Sequence, residues 1–231
     1  MRARPVRSRN ALQQYDDLAD QWWEPRGEFA MLTWISAARV RHLPAGGGLL
    51  LDVACGGGLL APFLTGWTHI GVDLSRPGLL LARDHGVVVT QADVGQLPFG
   101  DATFDVVVAG EILEHVEDLA GVVGEVCRVL RPGGTLVLDT IARTWWGRFS
   151  SITVGERVPA GPPKLLHDHR LFVDRAELLD LAAAHGVSLT LNGLRPSFVD
   201  YLLWLLGRRT SVRMLTTRST AGLFQGAGVK A

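Results

Sequence analysis

The sequence has few cysteines and no excess of either charge, and each of these absences excludes a class of protein. Cys55 and Cys127 are its two cysteines, and they stand in apolar segments without CxxC spacing, so we expect neither a cysteine zinc site nor a disulfide framework. The 23 basic and 23 acidic side chains cancel. No overall positive field is left to recruit nucleic acid, so a nucleic-acid partner is not expected.

Long hydrophobic stretches are also lacking. No segment reaches the roughly 18 apolar residues that a membrane-spanning helix needs, and no apolar region follows the arginine-rich start MRARPVRSRN. We therefore expect a protein that is neither secreted nor membrane-spanning and that works in the reducing cytoplasm. Peripheral contact with the inner face of the membrane stays open.

The sequence does contain enough apolar residues for a large core. A chain of 231 residues, 47% of them hydrophobic, fits one large domain. Residues 10–23 and 28–43 carry apolar side chains at helical spacing, so residues 1–45 are predicted to form an N-terminal helical cap. The glycine triplet 46–48 then separates this cap from a main domain over residues 46–231.

Short apolar runs alternate with helical segments through the main domain. The runs are LLLDVA, HIGVD, VVVTQAD, FDVVVAG and TLVLDT, and helices are predicted near residues 58–65, 77–85, 120–130 and 174–185. Strands that are apolar on both faces and separated by helices indicate a parallel sheet covered on both sides. VSLTLNGL and TAGLFQGAG are predicted to close it as an antiparallel pair. Two lid-like insertions, near residues 143–170 and 196–218, should emerge at the carboxyl edge, where open α/β folds bind ligands.

A glycine-rich loop follows the first of these strands, in LLLDVACGGGLL. Glycines let the backbone turn sharply and approach a ligand without a Cβ atom in the way. A dinucleotide-binding loop would have glycine at positions 54, 56 and 59, but the chain has Ala54, Gly56 and Leu59. The spacing disfavours a nicotinamide dehydrogenase and is closer to DxGxGxG, with Ala54 in the first glycine position.

Acidic residues close the next two strands. At the end of HIGVD, Asp73 can accept hydrogen bonds from both ribose hydroxyls, and Asp93 at the end of the third strand can reach an adenine amino group. Each motif alone would also fit a cap or a turn, but their joint order indicates a nucleoside site without a pyrophosphate. The predicted cofactor-binding residues are Asp52, Ala54, Gly56, Gly58, Asp73, Leu74, Asp93, Val94 and Gly110.

With the later motifs LPFGDATFD and VLRPGGTLVL, the chain resembles the class I S-adenosylmethionine-dependent methyltransferases. The resemblance implies S-adenosylmethionine as cofactor and a Rossmann-like α/β fold, with a seven-stranded, mostly parallel sheet whose last strand is antiparallel. YDDLADQWWEPRGEFAML, GEILEHVED and PPKLLHDHRLFVDRAELL are similar to segments of the O-methyltransferases of ubiquinone biosynthesis, which methylate polyprenyl catechols and demethylubiquinol.

The resemblance is incomplete on the acceptor side. Where that family has a histidine and an Asn-Pro pair, the chain reads LTWISAAR and matches only at Arg39, and PSFVDYLLWLLGRR replaces a late family motif. We expect a catechol-like or phenolic small molecule, either a quinone precursor or a specialised metabolite. A nitrogen or carbon acceptor, or a binding module without turnover, are the alternatives. The predicted acceptor-side residues are Trp22, Arg39, Trp145 and His167.

GEILEH, residues 110–115, follows the fourth strand at the same edge. If it is helical, Glu111, Glu114 and His115 share one face. They could hold a divalent ion such as Mg²⁺ or Zn²⁺ that lowers the pKa of catechol oxygens, and the resemblance implies such a metal for E-x-x-E-H. His115 could instead be the catalytic base, with Glu111 near the cofactor and Glu114 orienting the ring. In the third interpretation the residues are structural: the two acids stabilise the start of a helix, and His115 packs against the domain.

TWWGRF and YLLWLLGRR, one in each insertion, combine Trp and Leu with Arg. This pattern is typical of interfacial anchoring and of a substrate lid. Packing against the domain explains it equally well.

Overall fold

An eight-stranded sheet forms the centre of the computed structural model, which describes residues 9–231. The strands are β1 Gly48–Val53, β2 Trp67–Asp73, β3 Val88–Gln91, β4 Phe104–Gly110, β5 Leu130–Ile141, β6 Val187–Pro196, β7 Met214–Thr217 and β8 Leu223–Lys230. Their order is β3-β2-β1-β4-β5-β8-β6-β7. The first five pair in parallel, and β8 runs antiparallel to β5 and β6. The predicted Rossmann-like α/β class is therefore confirmed, while the first eight residues of the predicted cap lie outside the described residues.

The sheet has one strand more than the seven predicted. The additional strand, β7, lies in the second insertion and pairs antiparallel with residues 193–196 at the end of β6. Its sequence, MLTT, is too short to give a strand signal of its own, and only the pairing with β6 defines it. The predicted antiparallel pairing of β6 with β8 is confirmed.

Seven α-helices accompany the sheet in residues 9–231. They are α1 Gln13–Asp17, α2 Ala30–Arg39, α3 Arg76–Asp84, α4 Leu119–Val129, α5 Trp145–Arg148, α6 Arg175–Ala184 and α7 Phe198–Leu205. Three of them, α3, α4 and α6, confirm predicted helices. Each begins after a residue whose side chain accepts a hydrogen bond from a free N–H group of the first turn, namely Ser75, Asp118 and Asp174.

The helix predicted near residues 58–65 is wrong. Only one 3-10 turn, Ala61–Phe63, forms there. Gly56 and Gly58 have positive φ angles of 51° and 78°, so the chain turns before a helix can begin. A Cβ atom on Gly58 would lie 2.9 Å from the Cα of Ala82. Gly58 is thus needed for close packing of α3 against this turn.

Apolar side chains cover both faces of the central strands. Because neighbouring residues of a strand point to opposite faces, Leu51 and Val107 join one buried cluster while Leu50 and Val106 join another. All four side chains are buried. Burial on both faces explains why these strands read as continuous apolar runs rather than as alternating patterns.

Helix α2 connects the cap to both insertions. Its Trp34 meets Trp204 of α7 edge to face, with ring centroids 5.2 Å apart, and the same cluster contains Ala160 and Leu194. The first insertion holds α5, a π-helical turn Phe149–Val154 and a 3-10 turn Gly155–Arg157. The division of the chain at residue 45 stays a prediction.

Trp204→Ala should destabilise the protein by about 3–5 kcal/mol, because a buried Trp leaves a cavity where α2 and α7 meet. The free energy of unfolding, measured in urea, checks this. Phe198→Ala is the matched control on the same helix: Phe198 is 74% exposed, so the change should stay within about 0.5 kcal/mol. Equal effects of the two substitutions would contradict the packing of α7.

Candidate active site

One large cavity opens where β1, β2 and β4 end. Its volume is about 1120 Å³, above the roughly 300–1,000 Å³ usual for a small-molecule pocket, so it has room for two ligands. Eight of the nine predicted cofactor residues line it: Asp52, Ala54, Gly56, Asp73, Leu74, Asp93, Val94 and Gly110. Gly58, the ninth, lies instead against α3.

Asp73 is held in place by the backbone of two loops. Its Oδ2 accepts a hydrogen bond of 2.8 Å from the N–H of Gly56, and its Oδ1 accepts one of 2.7 Å from the N–H of Ser75. Burial raises the pKa of the Asp73 carboxyl, against the lowering effect of these two bonds. The carboxylate is therefore fixed beside the glycine loop with lone pairs still free for a ligand.

Trp22 lies on the glycine loop. A Cβ atom on Gly56 would overlap the indole ring, and one on Gly57 would lie 2.7 Å from its Cγ atom. The ring stacks on Phe29 with centroids 4.3 Å apart and lines the cavity. Trp22 thus stands at the end of the cavity predicted to hold the cofactor, rather than with the acceptor residues. The glycines of this loop make room for an aromatic side chain as well as for a ligand.

Arg39 forms a buried, two-pronged ion pair with Asp139 of β5. Nε donates to Oδ2 at 2.6 Å and Nη2 donates to Oδ1 at 2.8 Å. Burial alone would lower the pKa of the guanidinium, but the charge and hydrogen bonds of Asp139 raise it. A Cβ atom on Gly110 would overlap this guanidinium. Arg39 lines the cavity beneath the end of β4, between the cofactor residues and GEILEH.

GEILEH does not form the α-helix that would place its three ionisable groups on one face. Glu111 has a φ angle of +53°, and its N–H donates to the carbonyl of Asp139 at 2.9 Å, so it still belongs to the β4–β5 pairing. Only Leu113–His115 forms a 3-10 turn. Burial, with the nearby carboxylates of Glu114 and Asp139, raises the pKa of Glu111.

His115 is oriented by two residues of the N-terminal cap. Its Nδ1 lies 2.5 Å from Oδ1 of Asn10, whose Nδ2 donates to the His115 carbonyl at 2.8 Å. Because an amide oxygen can only accept, Nδ1 carries the proton and Nε2 keeps a lone pair. Nε2 lies 3.3 Å from the hydroxyl of Tyr15. Burial lowers the pKa of His115 to about 4, so the ring is neutral near pH 7.

His167 lies beside Glu114 and His115, and both histidines line the cavity. Ligand atoms of these three residues lie within 4.8 Å of one another, whereas Glu111 is not part of this group. Burial lowers the pKa of His167. Glu114 Oε1 and His167 Nδ1 are buried and have no hydrogen-bond partner among the described residues. Two buried polar atoms without partners, next to the unprotonated Nε2 of His115, fit a bound cation.

Trp145 is the one predicted acceptor residue that lies away from the cavity. It is 73% exposed and stacks on Phe149 with centroids 5.1 Å apart. Trp146 lines the cavity in its place.

Four residues of the site were not predicted from the sequence, namely Asn10, Tyr15, Asp139 and Thr140. The sequence did contain a signal for Asp139 and Thr140, which end the apolar run TLVLDT. An acid in a buried strand needs a polar partner. For Asn10 and Tyr15 no local signal existed. Their contact with His115 spans about a hundred residues of chain.

A sheet of this order with carboxylates at successive strand ends beside a glycine loop defines a class I S-adenosylmethionine-dependent methyltransferase. A family described as methyltransferase domain matches residues 51–138. A solved S-adenosylmethionine-dependent methyltransferase from Thermotoga maritima has the same fold, with a TM-score of 0.65 and 20% identity over 95% of this chain and 97% of that one.

Two proteins with higher sequence identity identify the family within this class. The ubiquinone biosynthesis O-methyltransferase of Thiobacillus denitrificans is 35% identical over 75% of this chain and 80% of its own length. The enzyme of the same name from Idiomarina loihiensis is 34% identical over 78% of this chain and 80% of its own length. The chain therefore belongs to this family of S-adenosylmethionine-dependent O-methyltransferases.

Glu114→Gln should change how stability depends on pH. Burial raises the pKa of Glu114 from 4.5 to about 7, although a 2.7 Å hydrogen bond from Thr140 opposes this. Because the folded pKa exceeds the unfolded one, the folded state keeps its proton below pH 7 and loses stability as the pH rises through 7. Wild type should therefore lose free energy of unfolding relative to the neutral glutamine variant between about pH 5 and pH 8. Parallel pH profiles from urea unfolding would contradict this.

Proposed function

We propose that the protein transfers the methyl group of S-adenosylmethionine to a hydroxyl of a catechol-like or phenolic small molecule. The observation that carries the proposal is that one cavity joins the acid-lined glycine loop to His115, whose Nε2 carries no proton and can accept one from a hydroxyl. Relatives named for ubiquinone biosynthesis favour a quinone-precursor acceptor over a specialised metabolite.

In this proposal the cofactor occupies the glycine-loop end. Asp73 accepts hydrogen bonds from the ribose hydroxyls, and Asp93 and Val94 contact the adenine. Asp52 and the guanidinium of Arg39 face the charged amino-acid part, since both line the cavity below the loop. Charge-assisted hydrogen bonds of this kind are stronger than neutral ones. Ala54, Gly56, Leu74 and Gly110 complete the contact surface.

The acceptor occupies the end of the cavity near His115. Apolar side chains from α2, the segment after β4, the first insertion, β6 and β8 form much of its wall, namely Met31, Leu32, Ile35, Ile112, Val116, Val154, Val158, Leu166, Leu194 and Leu223. Such a wall suits an aromatic ring that carries an alkyl or prenyl tail. The hydroxyl of Tyr15, a phenol, already lies 3.3 Å from Nε2 of His115, which supports a phenolic acceptor.

The reaction is an in-line displacement. The acceptor oxygen attacks the methyl carbon, the C–O bond forms as the C–S bond breaks, and the proton of the hydroxyl passes to Nε2 of His115. S-adenosylhomocysteine is left. Holding the two reactants in line can supply roughly 7–11 kcal/mol, whereas a base contributes about 10²–10⁴-fold. The chain's main task is therefore positioning, with His115 as base.

A divalent metal is the second interpretation of the same residues. Glu114, His115 and His167 would hold it, and the buried, unpartnered atoms of Glu114 and His167 support such a site. Two imidazoles and one carboxylate favour Zn²⁺ or a similar transition metal over Mg²⁺. A metal would lower the pKa of the bound hydroxyl. Glu111 then stays outside the ligand set and lies near the cofactor.

His115→Ala should lower kcat by about a hundredfold or more, because it removes the base. The measurement is transfer of a labelled methyl group to a panel of catechols with and without prenyl tails, together with amines. His185→Ala, an exposed histidine after α6, is the matched control and should leave kcat unchanged. If no catechol or phenol accepts the label while an amine does, the acceptor class is wrong.

Treatment with EDTA, followed by added Zn²⁺ or Mg²⁺, separates the two roles of His115. Activity that survives chelation supports the base alone, and activity that is lost and then restored by the ion supports the metal.

We further infer that the protein contacts the inner membrane surface from the cytoplasm, where a polyprenyl acceptor would lie. No helix among residues 9–231 combines the length and apolarity that crossing a bilayer demands. Two apolar surfaces are exposed, one on each insertion. One is Trp145 and Trp146, and the other is the outer face of α7 with Leu206: Phe198, Val199, Leu202, Leu205 and Leu206. Arg148, Arg208 and Arg209 flank them, a pattern that favours anionic lipid.

The double substitution Trp145→Ala/Trp146→Ala should reduce sedimentation of the protein with anionic liposomes, because two interfacial anchors are lost. Val88→Ala is the control. Val88 is 60% exposed on β3, the edge strand opposite to β7 of the second insertion. A wild-type protein that stays in the supernatant at low salt would remove the membrane interpretation.

A further inference from the structure

His69 is a buried histidine that the proposed reaction leaves without a role. It stands on β2, is 7% exposed, and is not among the residues that line the cavity. Its Nε2 lies 3.1 Å from Oδ2 of Asp52. Its Nδ1 is buried and has no hydrogen-bond partner in the described part of the chain.

Packing alone does not explain an imidazole at this position. A buried polar atom without a partner costs stability, and a leucine would fill similar space without that atom. Exceptions to the rule that buried polar atoms have hydrogen-bond partners occur chiefly at functional sites. The imidazole is therefore explained by the bond that Nε2 makes.

Asp52, the partner, stands at the boundary between the core and the cavity. It is 4% exposed and lines the cavity. Because an ionised carboxylate can only accept, Nε2 of His69 donates the proton in this bond. The other oxygen of Asp52, Oδ1, accepts no hydrogen bond from residues 9–231. His69 thus occupies one oxygen and leaves the other for a ligand.

We propose that His69 is a positioning residue that orients Asp52, so that Oδ1 accepts a hydrogen bond from the ammonium group of the cofactor's amino-acid part. The inference rests on the proposed function, because it needs S-adenosylmethionine in this cavity. In this proposal His69 itself touches neither the cofactor nor the methyl acceptor. It acts through Asp52 alone, which makes the effect measurable as a coupling between the two residues.

The test is isothermal titration of wild type and variants with two ligands. S-adenosylhomocysteine carries the ammonium group, and 5′-methylthioadenosine lacks the whole amino-acid part. His69→Leu should weaken S-adenosylhomocysteine binding by about tenfold, the effect of one hydrogen bond to a charged group. Its affinity for 5′-methylthioadenosine should stay unchanged, a result that general damage to the fold would not give.

Two further variants make the test independent of how well His69→Leu folds. His69→Gln places an amide N–H near the position of Nε2 and should bind S-adenosylhomocysteine within about threefold of wild type, whereas His69→Asn is too short and should lose about tenfold.

A double-mutant cycle measures the coupling between the two residues. When Asp52→Asn is already present, His69→Leu should cause no further loss of S-adenosylhomocysteine affinity.

Three results would overturn the inference. These are unchanged S-adenosylhomocysteine binding in His69→Leu and His69→Asn, an equal loss for both ligands, or losses that add in the Asp52→Asn background. A wild-type protein that binds neither ligand would instead refute the proposed function, and the role of His69 with it.

Discussion

The buried ion pair between Arg39 and Asp139 is the interaction on which the rest of the site depends. It joins α2 of the cap to β5 in the middle of the sheet, directly below the cavity. Removing two charges from water costs several kcal/mol per ion, and loss of either partner leaves the other charge buried, at a cost of about 3–5 kcal/mol. Gln225 of β8 adds a third group at 3.4 Å from Asp139, and Gly110 leaves the space that the guanidinium fills.

With the cap fixed in this way, its N-terminal part forms one wall of the whole cavity. Trp22 lies on the glycine loop at one end, and Tyr15 meets His115 at the other. Trp23 attaches the same segment to the main domain, because its Nε1 donates to the carbonyl of Gly57 at 2.9 Å and its ring stacks on His85. The cofactor end and the acceptor end therefore share one short segment, the eight residues from Tyr15 to Trp22, which contains the end of α1 and a 3-10 turn.

Polar groups without partners are concentrated around this cavity. Glu111 Oε1, Glu114 Oε1 and His167 Nδ1 are all buried and lack hydrogen bonds within the described residues. Such groups are rare in folded proteins because each reduces stability. Their position beside the predicted methyl-transfer site accords with an O-methyltransferase that gives up some stability for groups that hold a ligand or move a proton.

The sequence by itself determined the sheet, three of the covering helices, the glycine loop and the acids at the strand ends. Those features follow from short-range signals: apolar runs, capping residues such as Asp174, and the fixed rule that parallel strands end at one edge. The family resemblance rested on the same local motifs. These signals failed where glycines interrupted a helical pattern at residues 58–65, and where four residues became β7 only by pairing with β6.

Only the tertiary structure decided which side chains share the site. It turned Glu111 away from a helical face by a positive φ angle, placed His167 beside Glu114 and His115, moved Trp22 to the glycine loop and left Trp145 outside the cavity. The partners involved, such as Asn10 with His115 or Arg39 with Asp139, stand about a hundred residues apart. Contacts of that range arise from the packing of the cap on the sheet, and no local pattern of residues encodes them.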